Sequence, residues 1–375
     1  MKIPRFYQDL NKYIRPNKVL VIFGPRRVGK TTLLNDFLSD CGLKYKLDSG
    51  DNIKIQQIIS SQNFDLIKEY AAGYELIAID EAQKISNVGM GLKILVDQIP
   101  GIRVIATGSS SFELSGQVGE PLTGRKNTVI LYPIAQSELA ALYNPFELKE
   151  KLNEFLIYGK YPEVVTASKK NEKAKILEEI VHSYLLKDIL EIERVKGSKI
   201  LLDLLRLIAF QTGNEVSFPE LGAQIGIDAK TVARYLDLFE KSFVLYNLRG
   251  FSRNLRKEIT KKSKYYFYDN GIRNAIISNF NDIEIRNDTG QLWENFLIAE
   301  RLKRNSYKEV FSNNYFWRTW DQKEIDFVEE RGGGLFGYEF KWGKSNFSVP
   351  KEFLTAYPES SITVVNRENY FDFLK

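Results

Sequence analysis

The sequence predicts a multidomain α/β protein: a parallel sheet with crossover helices, then a helical lid and connector, a winged helix-turn-helix, and an α/β tail. Three observations predict it. Gly24 to Thr32 read GPRRVGKTT between an apolar run and a segment of helical character. Strand-like and helix-like segments alternate over about the first 135 residues, as a parallel sheet requires. Near the C-terminus a glycine turn, Arg331-Gly332-Gly333-Gly334, separates two segments in which acids alternate with aromatic residues.

GPRRVGKTT fits the phosphate-binding loop pattern G-x-x-x-x-G-K-[ST], with Gly24, Gly29, Lys30 and Thr31 in the defining places. Val19–Phe23 reads as a buried parallel strand. Thr32–Ser39 reads as a helix with Leu33, Leu34, Phe37 and Leu38 as its apolar positions. The glycines let successive N–H groups turn toward one concavity, and the helix adds the positive end of its dipole. The expected nucleotide-binding set is Gly24, Pro25, Arg26, Arg27, Val28, Gly29, Lys30, Thr31 and Thr32. Lys30 is expected at the β- and γ-phosphates of ATP and the Thr31 hydroxyl on Mg²⁺.

A second half of the site follows in ELIAIDE, residues 75–81. Its apolar run predicts a buried strand. Asp80 at the end of that strand is expected in the Mg²⁺ shell, and Glu81 is expected to polarise the attacking water, which implies hydrolysis. A third strand, Ile102–Ala106, ends in Thr107-Gly108-Ser109-Ser110-Ser111.

Composition narrows the alternatives. Lys plus Arg is 53 against 48 Asp plus Glu, a net charge of +5, so the placement of charge says more than its total. One cysteine, Cys41, excludes a disulfide framework and a zinc cage. One histidine, His182, makes Ser/His/Asp triads, Cys/His proteases and histidine-rich nuclease sites improbable, and its helical context VHSYLLKDIL gives it a structural role. No signal-peptide core and no membrane-length apolar run is present, so a soluble cytoplasmic protein is expected.

Residues from about 145 to 210 are helical by apolar spacing, with a break at Tyr158-Gly159-Lys160-Tyr161-Pro162. From Leu201 the pattern predicts the winged helix-turn-helix. One helix covers Leu201–Phe210, and a second starts at Phe218 with Pro219 suited to the first turn. Gly226 makes the turn, and Asp228 caps a third helix whose apolar positions are Val232, Tyr235, Leu236 and Phe239. Phe243–Leu248 and Tyr265–Tyr268 alternate as wing strands. Between them Arg249, Arg253, Arg256, Lys257, Lys261, Lys262 and Lys264 oppose a single acid, Glu258. Such a stretch beside a recognition helix suits the phosphate backbone of DNA; a protein-binding wing is the alternative.

The tail predicts a helix over Gly290–Lys303, strands near 315–319, 324–329 and 335–342, a helix after Pro350, and a strand at Ile362–Val365. If the turn centres on Gly332 and Gly333, opposing residues sum to 665, so Asp326 faces Glu339 and Glu324 faces Lys341 on one side. Ile325, Phe327, Phe336, Tyr338, Phe340 and Trp342 then form the other, apolar side. Two facing carboxylates can hold Mg²⁺ against a phosphodiester while Lys341 positions or activates water. A surface ion-pair cluster is the alternative.

Taken together, the chain resembles a family of bacterial and archaeal AAA-type ATPases with a C-terminal domain of uncharacterised function. The resemblance rests on GPRRVGKTT, AIDEAQ at 78–83, ATGSSS at 106–111, LTGR at 122–125, YGKYPEV at 158–164, YFYDNGIRN at 266–274, WENFLIAE at 293–300, EIDFV at 324–328 and YEFKW at 338–342. It implies a P-loop AAA-type ATPase core over 1–140, a lid and connector over 141–200, a winged helix-turn-helix over 201–280, and a restriction-endonuclease-like domain over 281–375. By that likeness Thr107, with Ser109 behind it, contacts the γ-phosphate or the water, and Arg125 serves as an arginine finger or γ-phosphate sensor. Asp326, Glu339 and Lys341 match the D…(D/E)-x-K arrangement of the restriction-endonuclease-like fold, with Asp326 and Glu339 as metal ligands. Glu294 is the acid of its first helix, and Glu300 the alternative. Where family members carry a Pro-[Leu]-Ser-Phe step, this chain has Tyr132-Pro133-Ile134-Ala135-Gln136. The leading expectation is an ATP-driven protein acting on DNA. The rivals are a nucleotide-controlled regulator with a binding-only tail and a signalling ATPase with protein partners. Self-association stays open, and no membrane contact is expected.

Overall fold

Apolar strands buried on both faces build the first sheet in the computed structural model, which describes residues 2–109, 121–185, 198–251, 263–319, 323–343 and 350–375. The strands are β1 (Lys18–Phe23), β2 (Tyr45–Ser49), β3 (Leu76–Asp80), β4 (Arg103–Gly108) and β5 (Lys126–Ile130). All pair in parallel, in the order β2-β3-β4-β1-β5. Alternation along β1 sends Leu20 and Ile22 into a core shared with Leu34 and Phe37 of the helix Lys30–Asp40. Val19, Val21 and Phe23 enter the opposite core with Leu92 and Leu95 of the helix Val88–Gln98. Helices on both faces are what a parallel sheet needs. The functional consequence lies in the order: β4 separates the phosphate-loop strand β1 from the acidic strand β3.

The connector holds the helices Pro145–Glu150, Leu152–Tyr158, Pro162–Thr166 and Lys170–Glu179. His182 follows in a π-helical turn, Ile180–Leu185, with an exposed side chain. Three helices come next, Ser198–Phe210, Phe218–Ile225 and Ala229–Lys241. Gly226 ends the second in a left-handed conformation, and Asp228 caps the third by accepting from Lys230 N and Thr231 N at 2.9 Å. The basic stretch 252–262, with Arg253, Arg256, Lys257, Lys261 and Lys262, lies outside the described residues, as do Ser110 and Ser111.

The second sheet crosses the boundary expected at residue 280. Its strands are β6 (Glu215–Val216), β7 (Leu245–Gly250), β8 (Ser263–Phe267), β9 (Asn313–Arg318), β10 (Glu324–Arg331), β11 (Gly334–Phe340) and β12 (Ser361–Val365). They run in the order β12-β11-β10-β9-β7-β8-β6. The β7–β8 hairpin joins the tail because β7 pairs in parallel with β9, Arg249 opposite Tyr315 and Gly250 opposite Phe316. The long helix Thr289–Tyr307 lies against this sheet, and its Asn295 amide donates to Phe267 O at 3.0 Å and accepts from Phe267 N at 2.7 Å.

The tail hairpin adopts the register inferred from its turn, with Phe327 opposite Tyr338 and Arg331 opposite Gly334. Its apolar side differs from the expectation in two residues. A bulge between Ile325 and Val328 turns Ile325 to the other side, where it packs with Val328 and Leu335 against Phe353. Phe336 is only partly buried and lies under the Arg331 guanidinium, 4.1 Å from ring centroid to cation. Phe327, Tyr338 and Phe340 pack around Phe373 as an aromatic group. Both sides of the hairpin are therefore covered, and Glu324, Asp326 and Glu339 sit at its open end, away from the Gly332–Gly333 turn.

Candidate functional site

The phosphate loop starts where β1 ends. Gly24 has φ +148°, and a Cβ there would lie 2.1 Å from Leu131 O, so only glycine lets the loop pass the start of the next segment. Arg27 and Gly29 also have positive φ, 60° and 93°. No side chain caps the N-terminus of the helix Lys30–Asp40, the end whose dipole favours an anion. Lys30 is buried, and its ammonium donates to the loop's own carbonyls, Gly24 O at 3.0 Å and Pro25 O at 2.8 Å.

β4 brings the other groups together. Thr31 Oγ1 donates to Asp80 Oδ2 at 2.8 Å, and Thr107 Oγ1 donates to Asp80 Oδ1. Glu81 N donates to the same Thr107 oxygen at 3.3 Å. Glu81 has φ 50°, a left-handed backbone conformation. Lys30, Thr31, Asp80, Glu81 and Thr107 thus form one constellation, and Ser109 lies buried behind it. Arg125 does not join. It precedes β5 beside Val19, at the opposite end of the sheet, and pairs with Asp97 at 2.6 Å. A sensor role within this chain does not fit that place, because β1 alone spans about 17 Å between its ends.

Three supporting residues lie outside the sequence motifs. Gln83 Nε2 donates to Glu81 Oε2 at 2.5 Å, and its Oε1 accepts from Ser109 N at 3.3 Å. Gly50 packs against Glu81, where a Cβ would lie 2.3 Å from Glu81 O. Arg5 bonds Val28 O in the loop, Tyr132 O at 2.7 Å and Glu138 at 3.0 Å. The adjacency AIDEAQ is a signal for Gln83; nothing local marks Arg5. A cavity of about 530 Å³ opens beside Gly29 and Thr32, walled by Ile3, Pro4 and Arg5, by Ile134, and by Pro162 and Glu163 of the connector. Arg27 ties the loop to the same connector through Glu163 at 3.1 Å and Glu179 at 2.7 Å.

The second constellation is acidic. Asp326 Oδ2 accepts from Phe340 N at 2.8 Å, which holds it beside Glu339. Lys341 pairs with Glu339 at 2.5 Å, whereas Glu324, expected opposite Lys341, pairs with Lys264. Glu294 reaches the group from the helix Thr289–Tyr307 and accepts from the Tyr266 hydroxyl. Burial and then the Asp326 charge push Glu294 up to about 8 and Glu339 up to about 7. Burial likewise raises Asp326. Glu339 Oε2 is buried with no hydrogen-bond partner. Among the described residues no three acids, histidines or cysteines converge as ligands of one ion.

Glu300 belongs elsewhere. It is buried where the first domain, the connector and the tail meet, and pairs with Lys160 and Lys303, each at 2.8 Å. It also accepts from Gln136 N. Despite burial, these two lysines hold its carboxyl down at about 2. The segments YGKYPEV and YFYDNGIRN meet here as well: Asp269 accepts from Lys160 N at 2.7 Å and from Gly271 N at 2.9 Å.

Residues 16–140 match the family model described as AAA domain. Residues 149–283 and 289–373 match two further models, each described as a domain of unknown function. Over 348 residues the chain is 27% identical to an uncharacterized protein of Haemophilus influenzae, covering 87% of this chain and 83% of that one. Over 343 residues it is 25% identical to an uncharacterized protein of Methanocaldococcus jannaschii, covering 86% and 74%. Among solved structures, the Walker-type ATPase of Pyrococcus abyssi superposes with a TM-score of 0.45 at 18% identity, covering 72% of this chain and 93% of that one. Residues 16–140 are thus similar to the AAA domain. Among the described residues no helix is long and apolar enough to cross a membrane.

Proposed function

We propose that the protein binds and hydrolyses ATP with Mg²⁺ and couples that cycle to work on DNA through its helix-turn-helix segment and tail. The observation that carries the ATPase reading is the meeting of Thr31, Asp80 and Thr107 at the mouth of the phosphate loop. Lys30 would exchange its two loop carbonyls for the β- and γ-phosphates, a stronger, charge-assisted partner. Thr31 and Asp80 are the groups that would hold Mg²⁺, which when bound neutralises phosphate charge. Glu81, oriented by Gln83, would take the proton of the attacking water. The cavity beside Gly29 has the size of a small-molecule site and would receive the base. The test is Glu81→Gln: ATP binding retained, with hydrolysis slowed by about 10²-fold or more. Wild-type turnover in this variant would remove Glu81 from the mechanism.

The DNA reading is supported by the sequence charge of Arg249, Arg253, Arg256, Lys257, Lys261 and Lys262 and by exposed Lys230 and Arg234 on the third helix. In the tail, Asp326 and Glu339 would hold Mg²⁺ with Lys341 and Glu294 beside them, and the unpartnered Glu339 oxygen fits a cation. A second reading, a regulatory ATPase whose tail binds without cleaving, is favoured by the ion pairs Lys341–Glu339 and Lys264–Glu324, which already neutralise two of the acids. Incubation with Mg²⁺ and duplex, forked and single-stranded DNA, scored for binding and cleavage, separates them. Cleavage abolished by Asp326→Ala supports the first; binding without cleavage of any substrate supports the second.

A further inference from the structure

The tail's acidic group is not built by the tail alone. Lys264 and Tyr266 come from β8, a strand of the preceding hairpin, and alternation along the strand puts both on one side. Both are buried. The Tyr266 hydroxyl donates to Glu294 Oε1 and the Lys264 ammonium pairs with Glu324. Two features fix this meeting. The Asn295 amide bonds both backbone groups of Phe267, so the helix carrying Glu294 is locked to β8 one residue away from Tyr266. Gly213, with φ +81°, lies against the other Glu294 oxygen, 3.3 Å from where a Cβ would stand. Glu294 is therefore confined on both sides, while Glu339, across the group, keeps a buried oxygen with no partner.

We propose that Tyr266 is a positioning residue of the tail's candidate metal site, orienting the Glu294 carboxylate toward Asp326 and Glu339, so that the site is complete only with a strand from outside the tail. This rests on the reading of Asp326 and Glu339 as metal ligands. A hydrogen bond to a carboxylate near a metal removes its rotational freedom and aims its remaining lone pairs, and losing such a partner typically weakens metal binding by about 10- to 100-fold. A tyrosine placed only for packing would lose none of this on removal of its hydroxyl.

The test is Mn²⁺ titration of the full chain without nucleotide, followed by electron paramagnetic resonance, with Asp326→Ala defining the tail's share. Tyr266→Phe should raise the Kd of that share about tenfold or more. Glu294→Asp, which withdraws the carboxylate from the hydroxyl, should do the same, so the result does not hang on one variant folding. In a Glu294→Gln background, Tyr266→Phe should add nothing, because its action passes through that carboxylate. An unchanged Kd in Tyr266→Phe, with Asp326→Ala still abolishing binding, overturns the positioning role and leaves the metal site standing. Additive losses in the double variant overturn it too. No Asp326-dependent Mn²⁺ in the wild type overturns the metal site and the proposal together.

Discussion

Replacing Glu300 by glutamine perturbs the junction where three parts of the chain meet. The carboxylate is buried, with Lys160 and Lys303 each at 2.8 Å. The amide would leave two buried ammonium groups without their nearest counter-charge, and breaking a buried pair in this way costs about 3–5 kcal/mol. At a typical urea dependence that lowers the unfolding midpoint by on the order of 1–2 M. Trp293 and Trp342, whose rings are 5.6 Å apart in the tail, report the transition by fluorescence. The pH dependence follows from the depressed carboxyl, held at about 2 in the fold against 4.5 ordinarily. The stabilisation is fully present above pH 4.5 and is lost as pH falls toward 2. By pH 3 about 2 kcal/mol of the difference between wild type and variant should have gone. Adding Lys160→Met to Glu300→Gln should recover part of the loss, since one unpaired ammonium disappears. A loss below about 1 kcal/mol at pH 7, or a difference unchanged between pH 5 and 3, would refute the charge argument.

Lys30→Ala should abolish ATP hydrolysis and weaken nucleotide binding, because it removes the ammonium now held at the loop by Gly24 O and Pro25 O, while Arg27 is tied to Glu163 and Glu179; nucleotide titration and a phosphate-release assay read both. Gly159→Ala should destabilise by more than about 3 kcal/mol, as its Cβ would stand 1.9 Å from Asp269 Oδ1 at φ +67°; urea unfolding checks it. Asp326→Ala should remove any Mn²⁺-induced rise in melting temperature and, by relieving repulsion with Glu339, leave the metal-free protein as stable or more so. A destabilised variant with no metal effect in the wild type would identify a structural ion-pair cluster.

What is legible in the sequence is local. The phosphate loop is a contiguous pattern whose backbone geometry is set by its own glycines and the adjoining strand and helix. The hairpin register follows from one turn and strand alternation, which together place Asp326 near Glu339. The Asp228 cap and the Gly226 turn are likewise visible, because each acts within a few residues of itself. Pairings between distant strands leave no such mark. That β7 pairs with β9, and so brings Tyr266 to Glu294, depends on backbone hydrogen bonds that any residue but proline can make. Helix periodicity does not decide whether Glu294 or Glu300 belongs to the acidic group, since both lie on one helix and differ only in what packs against them. One meets Tyr266; the other meets Lys160 and the backbone of Gln136. The same holds for Arg125, whose place at the far end of the sheet follows from the run of β5 beside β1. The bulge at Ile325 arises only where β10 meets β9. The sequence by itself determined the nucleotide loop, its acidic partner strand and the facing tail carboxylates, because chain geometry over a few residues dictates them. Only the tertiary structure decided which distant side chains complete each group, because burial and sheet pairing are properties of neighbours that the chain brings together from far apart.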